Sequence, residues 1–433
     1  MVNKQLKLIK NKLKLLLILL ILLPVKALPQ DSLDLIECYK TVLQNDPLNK
    51  QKPIIRISSE LKTKSISTGW YPKTDFNAQA TYQSDVTSVN IPPGLPISGL
   101  IPKPSLDQYR MTLDVNQVIF DGSLIGSQKD LEKYDAEVNL AQVEVDLNKL
   151  KQQINIPYFT ILLLQKNDEI LKVKYDEIIE KLKVIESGIR NGAILPSNKD
   201  ILEAELIKIE QQRLEIQSNK LIAFNTLSEL LGKKIESGTK LSSPEINISY
   251  NDSLKRPEYQ FFKYQEKKLD AASELASVQN NPKLFAFGEV GYGKPGFNML
   301  SNEFKTFYIV GAKLNWTILD WNKSSDDAEN LMVQKKLVDV NKEIFDRNLR
   351  IALNKEKETI ENLNSLIEKD KEIIKLRENI TKSASSQLTN GVITATDYLN
   401  QLNDEIIAKI NKETHLIQLI QSKVNYMNLK GDM

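Results

Sequence analysis

One cysteine, Cys38, and one histidine, His415, are the only thiol and imidazole groups in this 433-residue sequence. Zinc sites draw three or four ligands from Cys, His and carboxylates, and a serine or cysteine nucleophile needs a base beside it. His415 stands in a polar helical stretch with no cysteine or second histidine nearby, which reads as a helix-surface side chain. Cys38 has no disulfide partner within the chain. Leu35-Ile36-Glu37 before it lacks the small residues of a lipoprotein signal, so a packed, inert thiol is the simpler reading. No glycine-rich phosphate loop occurs, and the scattered Asp, Glu and Lys read as solvated helix faces. The residue types therefore predict no enzyme, no metal site and no cofactor.

What the chain offers instead is an internal repeat. Asn116, Ile119 and Asp121 recur as Asn315, Ile318 and Asp320, and Asn191-Gly192-Ala193-Ile194 recurs as Asn390-Gly391-Val392-Ile393, both at an offset of 199 residues. Loop-length changes cost little, so free loops rarely preserve such a count. Long helices held in register must preserve it. A duplicated chain with matched long helices points to a scaffold or conduit.

Residues 1–27 have the form of a signal peptide: a lysine-rich start, the apolar run Leu15 to Leu23, and Val25-Lys26-Ala27 as a small-residue cleavage site. The run is too short to span a bilayer, which takes about 20 residues. Without the six lysines of 1–27, 52 basic side chains face 56 acidic ones, which removes the bulk-charge case for nucleic acid. Any passage of the remaining chain through a membrane must be made by β-strands.

Two structural repeats are expected, 28–240 and 241–433. Helical periodicity over 31–66 ends by Tyr71-Pro72, and period-two alternation follows. Phe76, Ala78, Ala80 and Tyr82 alternate with polar residues, as do Tyr109, Met111, Leu113 and Val115, giving a strand pair within 72–120. The proline-rich loop 91–104 joins them. Alternation alone fits either a soluble sheet or a membrane barrel with a wet lumen. The second repeat has a helix at 258–279 and a strand pair at 283–319. Four strands cannot close a membrane barrel, for which about eight is the minimum, so membrane strands would require an oligomer.

Long helices are expected at 122–190 and 321–390. Leu140, Leu147, Ile154, Ile161, Tyr175, Leu182 and Ile189 form one seven-residue series, and Val143, Leu150, Leu164, Leu171, Ile178 and Ile185 a second. In the second repeat Leu353, Ile360, Ile367, Ile374 and Leu388 form one seam, and Leu331, Val338, Phe345, Ala352, Leu366, Ile373 and Ile380 another. Two seams on one helix imply neighbours on both sides, as in a ring of helices. Pro157 falls mid-helix and, with the seam continuing in phase across it, predicts a kink. The Asn-Gly pairs close the long helices. Return helices follow at 196–231 and 394–429, about half as long, and the preceding short helices supply the missing length.

Asp34-Leu-Ile-Glu-Cys-Tyr-Lys-Thr-Val-Leu-Gln-Asn-Asp-Pro47, Leu113-Asp-Val-Asn-Gln-Val-Ile-Phe-Asp121, Pro157-Tyr-Phe159 and the paired Asn-Gly turns, in this order and spacing, resemble the TolC-like outer-membrane efflux protein family. The resemblance covers essentially the whole chain after the signal segment. It implies a homotrimer in outer-membrane lipid, with a twelve-stranded β-barrel continued through the periplasm by a twelve-helix α-barrel. It further implies a passive exit duct for an inner-membrane pump of RND or ABC type, joined through a periplasmic adaptor (membrane fusion protein). The resemblance places adaptor docking at the tips Asn191, Gly192, Ala193 and Asn390, Gly391, Val392. It places the pore gate at Asp397 and at Asn400, where the family's second tip acid is replaced. The Arg and Tyr that brace the family's closed tip are Ile393 and Leu388 here, and the matching first-repeat positions are Ser197 and Asn198. A plainer role for Asp397 is a first-turn carboxylate favoured by the helix dipole. The alternative to a duct is a secreted coiled-coil structural or tethering protein without a pore, which would have no need of the strand pairs.

Overall fold

A computed structural model describes residues 32–89, 103–248 and 253–433. The expected signal segment and nearly all of the loop 91–104 lie outside the described residues. Each repeat runs helix, strand pair, long helix, return helix. The first comprises α1 (Leu35–Asn45), α2 (Gln51–Ser67), β1 (Lys73–Tyr82), β2 (Asp107–Phe120), α3 (Leu124–Arg190) and α4 (Ser197–Leu231). The second comprises α5 (Pro257–Val278), β3 (Lys283–Lys294), β4 (Lys305–Asn315), α6 (Lys323–Thr389) and α7 (Ala395–Lys430).

Helices α3 and α6 have 67 residues each and start and stop 199 positions apart, which is why the repeat offset is constant between the strands and the Asn-Gly turns. At 1.5 Å per residue each spans about 100 Å. Helix α3 is unbroken through Pro157, which is buried beside Tyr158 and Phe159. There the Tyr158 hydroxyl donates to the carbonyls of Leu33 (3.0 Å) and Ser242 (2.6 Å), fixing the chain segments that cross the middle of the helix. Cys38 packs in the same core, fully buried, and burial pushes its thiol up to about 12.

The helices lie side by side. On one flank of α3 stand α2 and α4; on the other stand α5 and α7, which also pack against α6. Helix α2 covers the part of α3 near the strands, with Lys62 on Glu132 and Lys52 on Glu144, and α4 covers the part near the tip, with Arg213 on Asp168. The α3 seams are buried: Leu147, Ile154, Ile161, Leu171, Ile178 and Ile185 are all in the core. The second repeat differs. Ile360, Ile367 and Leu388 are buried, but Leu366, Ile373 and Ile380 of the other α6 seam face outward.

The strands form one antiparallel sheet in the order β1-β2-β3-β4, so two hairpins share an edge and β1 and β4 are left open. β4 stops at Asn315 rather than running to 319. Its partner β3 begins at Lys283, directly after Pro282, which has no N–H to continue the ladder. His415 is not a free surface side chain: α7 turns it onto α6, where Nδ1 lies 2.7 Å from the Asp370 carboxylate. The polar run around it concealed a partner that lies 45 positions away.

Candidate functional site

At the far ends of the long helices the two Asn-Gly turns are nearly superposable. Asn191 and Asn390 each leave the helix at φ −89°, and Gly192 and Gly391 take left-handed φ of 71° and 72°, where a side chain would be strained. Gly192 N–H donates to Ile189 and Ala193 N–H to Gly188; Gly391 and Val392 repeat this with Leu388 and Gln387. These are the paired bonds of a Schellman closure. Leu195 and Val392 stand exposed at the two tips.

Thr394 is the N-cap of α7. Its hydroxyl accepts from the Asp397 N–H, while Asp397 accepts from the Thr394 N–H (3.1 Å) and hydroxyl (2.7 Å), a complete capping box. Those bonds from Thr394 hold the Asp397 carboxyl below its usual range. Asp397 and Asn400 are both exposed, one turn apart on the same side of α7. The first-turn carboxylate role is therefore built into the fold, and it leaves the carboxylate at the surface.

Asn198 holds the position of Asp397 in the first repeat, yet its amide oxygen accepts from the Ala395 N–H of the other hairpin at 2.6 Å. Further up, the Tyr398 hydroxyl donates to Glu177 at 2.9 Å, and burial first, then the Glu177 charge, raise the phenol above its usual range. Lys174, almost fully buried, donates to Glu205 and to Asn403, both at 2.6 Å. The Asn198–Ala395, Tyr398–Glu177 and Lys174–Asn403 contacts join one hairpin to the other, Lys174–Glu205 lies within the first, and none was anticipated from the sequence. The one available signal was Lys174 itself, three residues after Leu171 and four before Ile178 on an otherwise apolar stripe.

At the opposite end, the sheet has two unlike faces. Phe76, Leu113, Val290 and Tyr308 line up across the four strands on one face, with Met111, Tyr292 and Val310 beside them, and all seven are exposed. The other face is the more polar one, carrying Asn77, Gln79, Arg110, Thr112, Asp114, Glu289 and Lys313, with Phe285, Phe287, Phe307 and Ile309 among them on β3 and β4. Arg110 pairs there with Glu289, and Asp114 accepts from Asn77. Trp70 and Tyr71 stand exposed at the helix end of β1, and Trp316 and Trp321 at that of β4. Where the strands turn into helices, Asp121 accepts from the N–H groups of Ser123 (3.0 Å) and Ile125 (2.6 Å), and Asp320 accepts from that of Ser324 (3.0 Å). The repeated aspartates are thus the anchors of the long helices.

Among the described residues no group of carboxylate, cysteine or histidine side chains is arranged to hold a metal, and no helix is long and apolar enough to cross a membrane. No protein-family model matches the chain, and none of the curated proteins does either. Solved structures do. The outer membrane protein VceC of Vibrio cholerae aligns over 92% of this chain and 96% of its own, at 14% identity and a TM-score of 0.67. The CmeC outer membrane channel of Campylobacter jejuni aligns over 92% and 85%, at 15% identity and a TM-score of 0.65. The Neisseria gonorrhoeae MtrE outer membrane channel, in its open state, aligns over 92% and 88%, at 12% identity and a TM-score of 0.66.

The chain has the outer-membrane channel fold. The likeness covers strands and helices together, so the sheet and the long hairpins form one architecture, the one implied by the resemblance to TolC-like efflux proteins. Within that channel fold, the tip turns stand at one end and the two-faced sheet at the other.

Proposed function

We propose that this protein is the homotrimeric exit duct of an outer membrane, with its sheet in the lipid and its helices reaching into the periplasm. The observation that carries this reading is a pair of open flanks that match each other in level. Helix α4 exposes Ile207, Leu214 and Leu221 at seven-residue steps, and α6 exposes Ile380, Ile373 and Leu366 at seven-residue steps in the opposite direction. In the first hairpin Ile178, Ile185, Leu202 and Ile209 share one core, and the Tyr175–Glu210 and Lys199–Glu186 contacts fix its antiparallel register. Because α6 copies α3 at an offset of 199, Ile380, Ile373 and Leu366 are level, within one helical turn, with Ile207, Leu214 and Leu221. A second copy set head-to-tail places one ladder against the other and β4 beside the next β1. Four strands per chain make twelve in three copies, enough to close a barrel.

Membrane insertion is supported by the exposed apolar face of the sheet and the aromatic residues at its helix end, as in the girdles of outer-membrane barrels. The opposite, polar face would then line a wet lumen. The apolar tip residues Leu195 and Val392 suit docking of a periplasmic adaptor at Asn191, Gly192, Ala193, Asn390, Gly391 and Val392. An inner-membrane pump of RND or ABC type would supply the energy, because the duct itself conducts passively. Asp397 and Asn400, exposed side by side near the tip, are the proposed pore-lining pair.

The test is a cross-link between ladders. Leu214→Cys and Ile373→Cys in one chain, treated with a short bismaleimide in detergent, should give a ladder of bands ending at three chains. Light scattering of the same sample should give a trimer mass. A monomer that links only within itself would sink the reading.

A further inference from the structure

We propose that the loop between β3 and β4 forms an apolar constriction at the outer mouth of the duct, with Phe297 and Met299 as the narrowing side chains. The inference rests on the duct reading above. Its starting point is Phe307: of Phe285, Phe287, Phe307 and Ile309, the apolar residues on the Arg110 face of β3 and β4, it alone is buried within a single chain. It lies over Gly291 on β3, whose missing side chain gives the ring room, and the Arg110 guanidinium stands 5.1 Å from the ring centre. Phe297 from the loop packs on that ring at 6.3 Å between centres, within the range of a favourable aromatic pair.

The loop therefore folds over the polar face and not away from it. A cleft of about 300 Å³ between the two has Gln79, Thr81 and Arg110 on the sheet side and Gly296 and Met299 on the loop side. The loop's far end crosses to the other face, where Phe304 stacks on Tyr292 at 5.4 Å and on Tyr109 at 6.1 Å. Asn302 accepts from the Ser105 N–H of the neighbouring hairpin at 2.9 Å, so the loop is held at both ends. Phe297 and Met299 are themselves about two-thirds exposed. Three copies would direct six apolar side chains into a water-filled passage, and narrow apolar rings exclude water and ions. Phe307 and Gly291 serve as the seat that keeps the loop inward.

Access to a thiol below the constriction tests this. Asn116→Cys lies on the polar face at the helix end of β2. The native thiol, Cys38, is fully buried and silent. In intact outer membranes a bulky, impermeant maleimide applied from outside should label Asn116→Cys slowly. Adding Phe297→Ala and Met299→Ala should speed labelling at least tenfold, and Tyr308→Ala on the apolar face should leave the rate unchanged. Equal rates with and without the two loop substitutions would overturn the constriction, even where the purified protein conducts in planar bilayers. If the parent protein conducts nothing and Asn116→Cys stays unlabelled in purified oligomers, the duct reading itself has failed.

Discussion

Asn198 and Asp397 occupy the same place in the two repeats and bind in different directions. Asn198 reaches across to the Ala395 N–H, while Asp397 turns back onto Thr394 in its own helix. The first contact ties hairpin to hairpin; the second only starts a helix. Asn198→Ala should therefore loosen the two tips relative to each other, seen as faster spin-label motion at Val392. Asp397→Asn should leave that motion near the parent value.

The Asp397 carboxyl is held low in the folded chain by Thr394. A depressed carboxyl adds stability that is present above the unfolded value, about 3.9, and is lost as pH falls through the folded value. Amide exchange in the first turn of α7 should accelerate, relative to intrinsic rates, as pH drops from 5 toward 3. Asp397→Asn should remove that dependence. Thr394→Ala should cost about 1 kcal/mol locally at neutral pH, and less once Asp397 is protonated, because part of the hydroxyl's bonding is to the ionised carboxyl.

Lys174 and Glu205 form the other tip-proximal element, a buried ion pair completed by Asn403. Removing Lys174 leaves the buried Glu205 with only its longer contact to Lys208 (3.7 Å), so Lys174→Ala should destabilise by up to about 3 kcal/mol. Lys174→Met with Glu205→Leu should fall much closer to the parent, since an apolar pair of similar volume has no desolvation penalty to offset. Thermal midpoints of the detergent-purified protein would show the difference. Equal losses in the single and double variants would mean the pair adds nothing beyond packing.

Such contacts mark the limit of what was legible in the residues. The long helices could be placed because Leu147, Ile154, Ile161, Ile178 and Ile185 keep a seven-residue step, and the turns because Gly192 and Gly391 must adopt positive φ. The asymmetry of the repeats could not. Ile360 and Ile373 are equally apolar and equally spaced, but one meets α7 within the chain and the other faces outward. A heptad reports that a partner exists and not which molecule supplies it. His415 and Lys174 were missed for a related reason: their partners Asp370, Glu205 and Asn403 lie on other helices at distances set by antiparallel packing. The tip residues Asn191, Gly192, Asn390 and Gly391 stand where the long helices end, whereas Asp397 is seen to cap a helix, a role its position three residues after Thr394 already permitted.

Gly291 and Phe307 should behave as a coupled pair. A methyl group added at Gly291 would collide with the Phe307 ring. Gly291→Ala alone should lower the thermal midpoint by displacing the ring. Phe307→Ala alone should lower it by leaving a cavity, about 3–5 kcal/mol if the site cannot relax. Together they should cost less than the two losses added, because the new methyl partly fills the vacated space. Strict additivity would show that the ring does not rest on Gly291.

Trp321 gives the sharpest test of the assembly, because the single chain and the proposed trimer disagree on the sign. It holds the place that Gly122 holds in the first repeat, with φ of 57° against 66°. Left-handed backbone is unfavourable for a residue with a side chain, by about 1–2 kcal/mol. Within one chain Trp321 is largely exposed and returns little for that strain. On intrachain terms alone Trp321→Gly should therefore stabilise the fold. In the proposed assembly Trp321 lies at the helix end of β4, at the inner membrane–water boundary, where an indole is favoured. We expect Trp321→Gly to lower the thermal midpoint of the vesicle-reconstituted protein, the lost interfacial contacts outweighing the relieved strain. A raised midpoint in vesicles would mean that Trp321 meets neither lipid nor a neighbouring chain, and that the membrane boundary does not lie at the strand-to-helix junction.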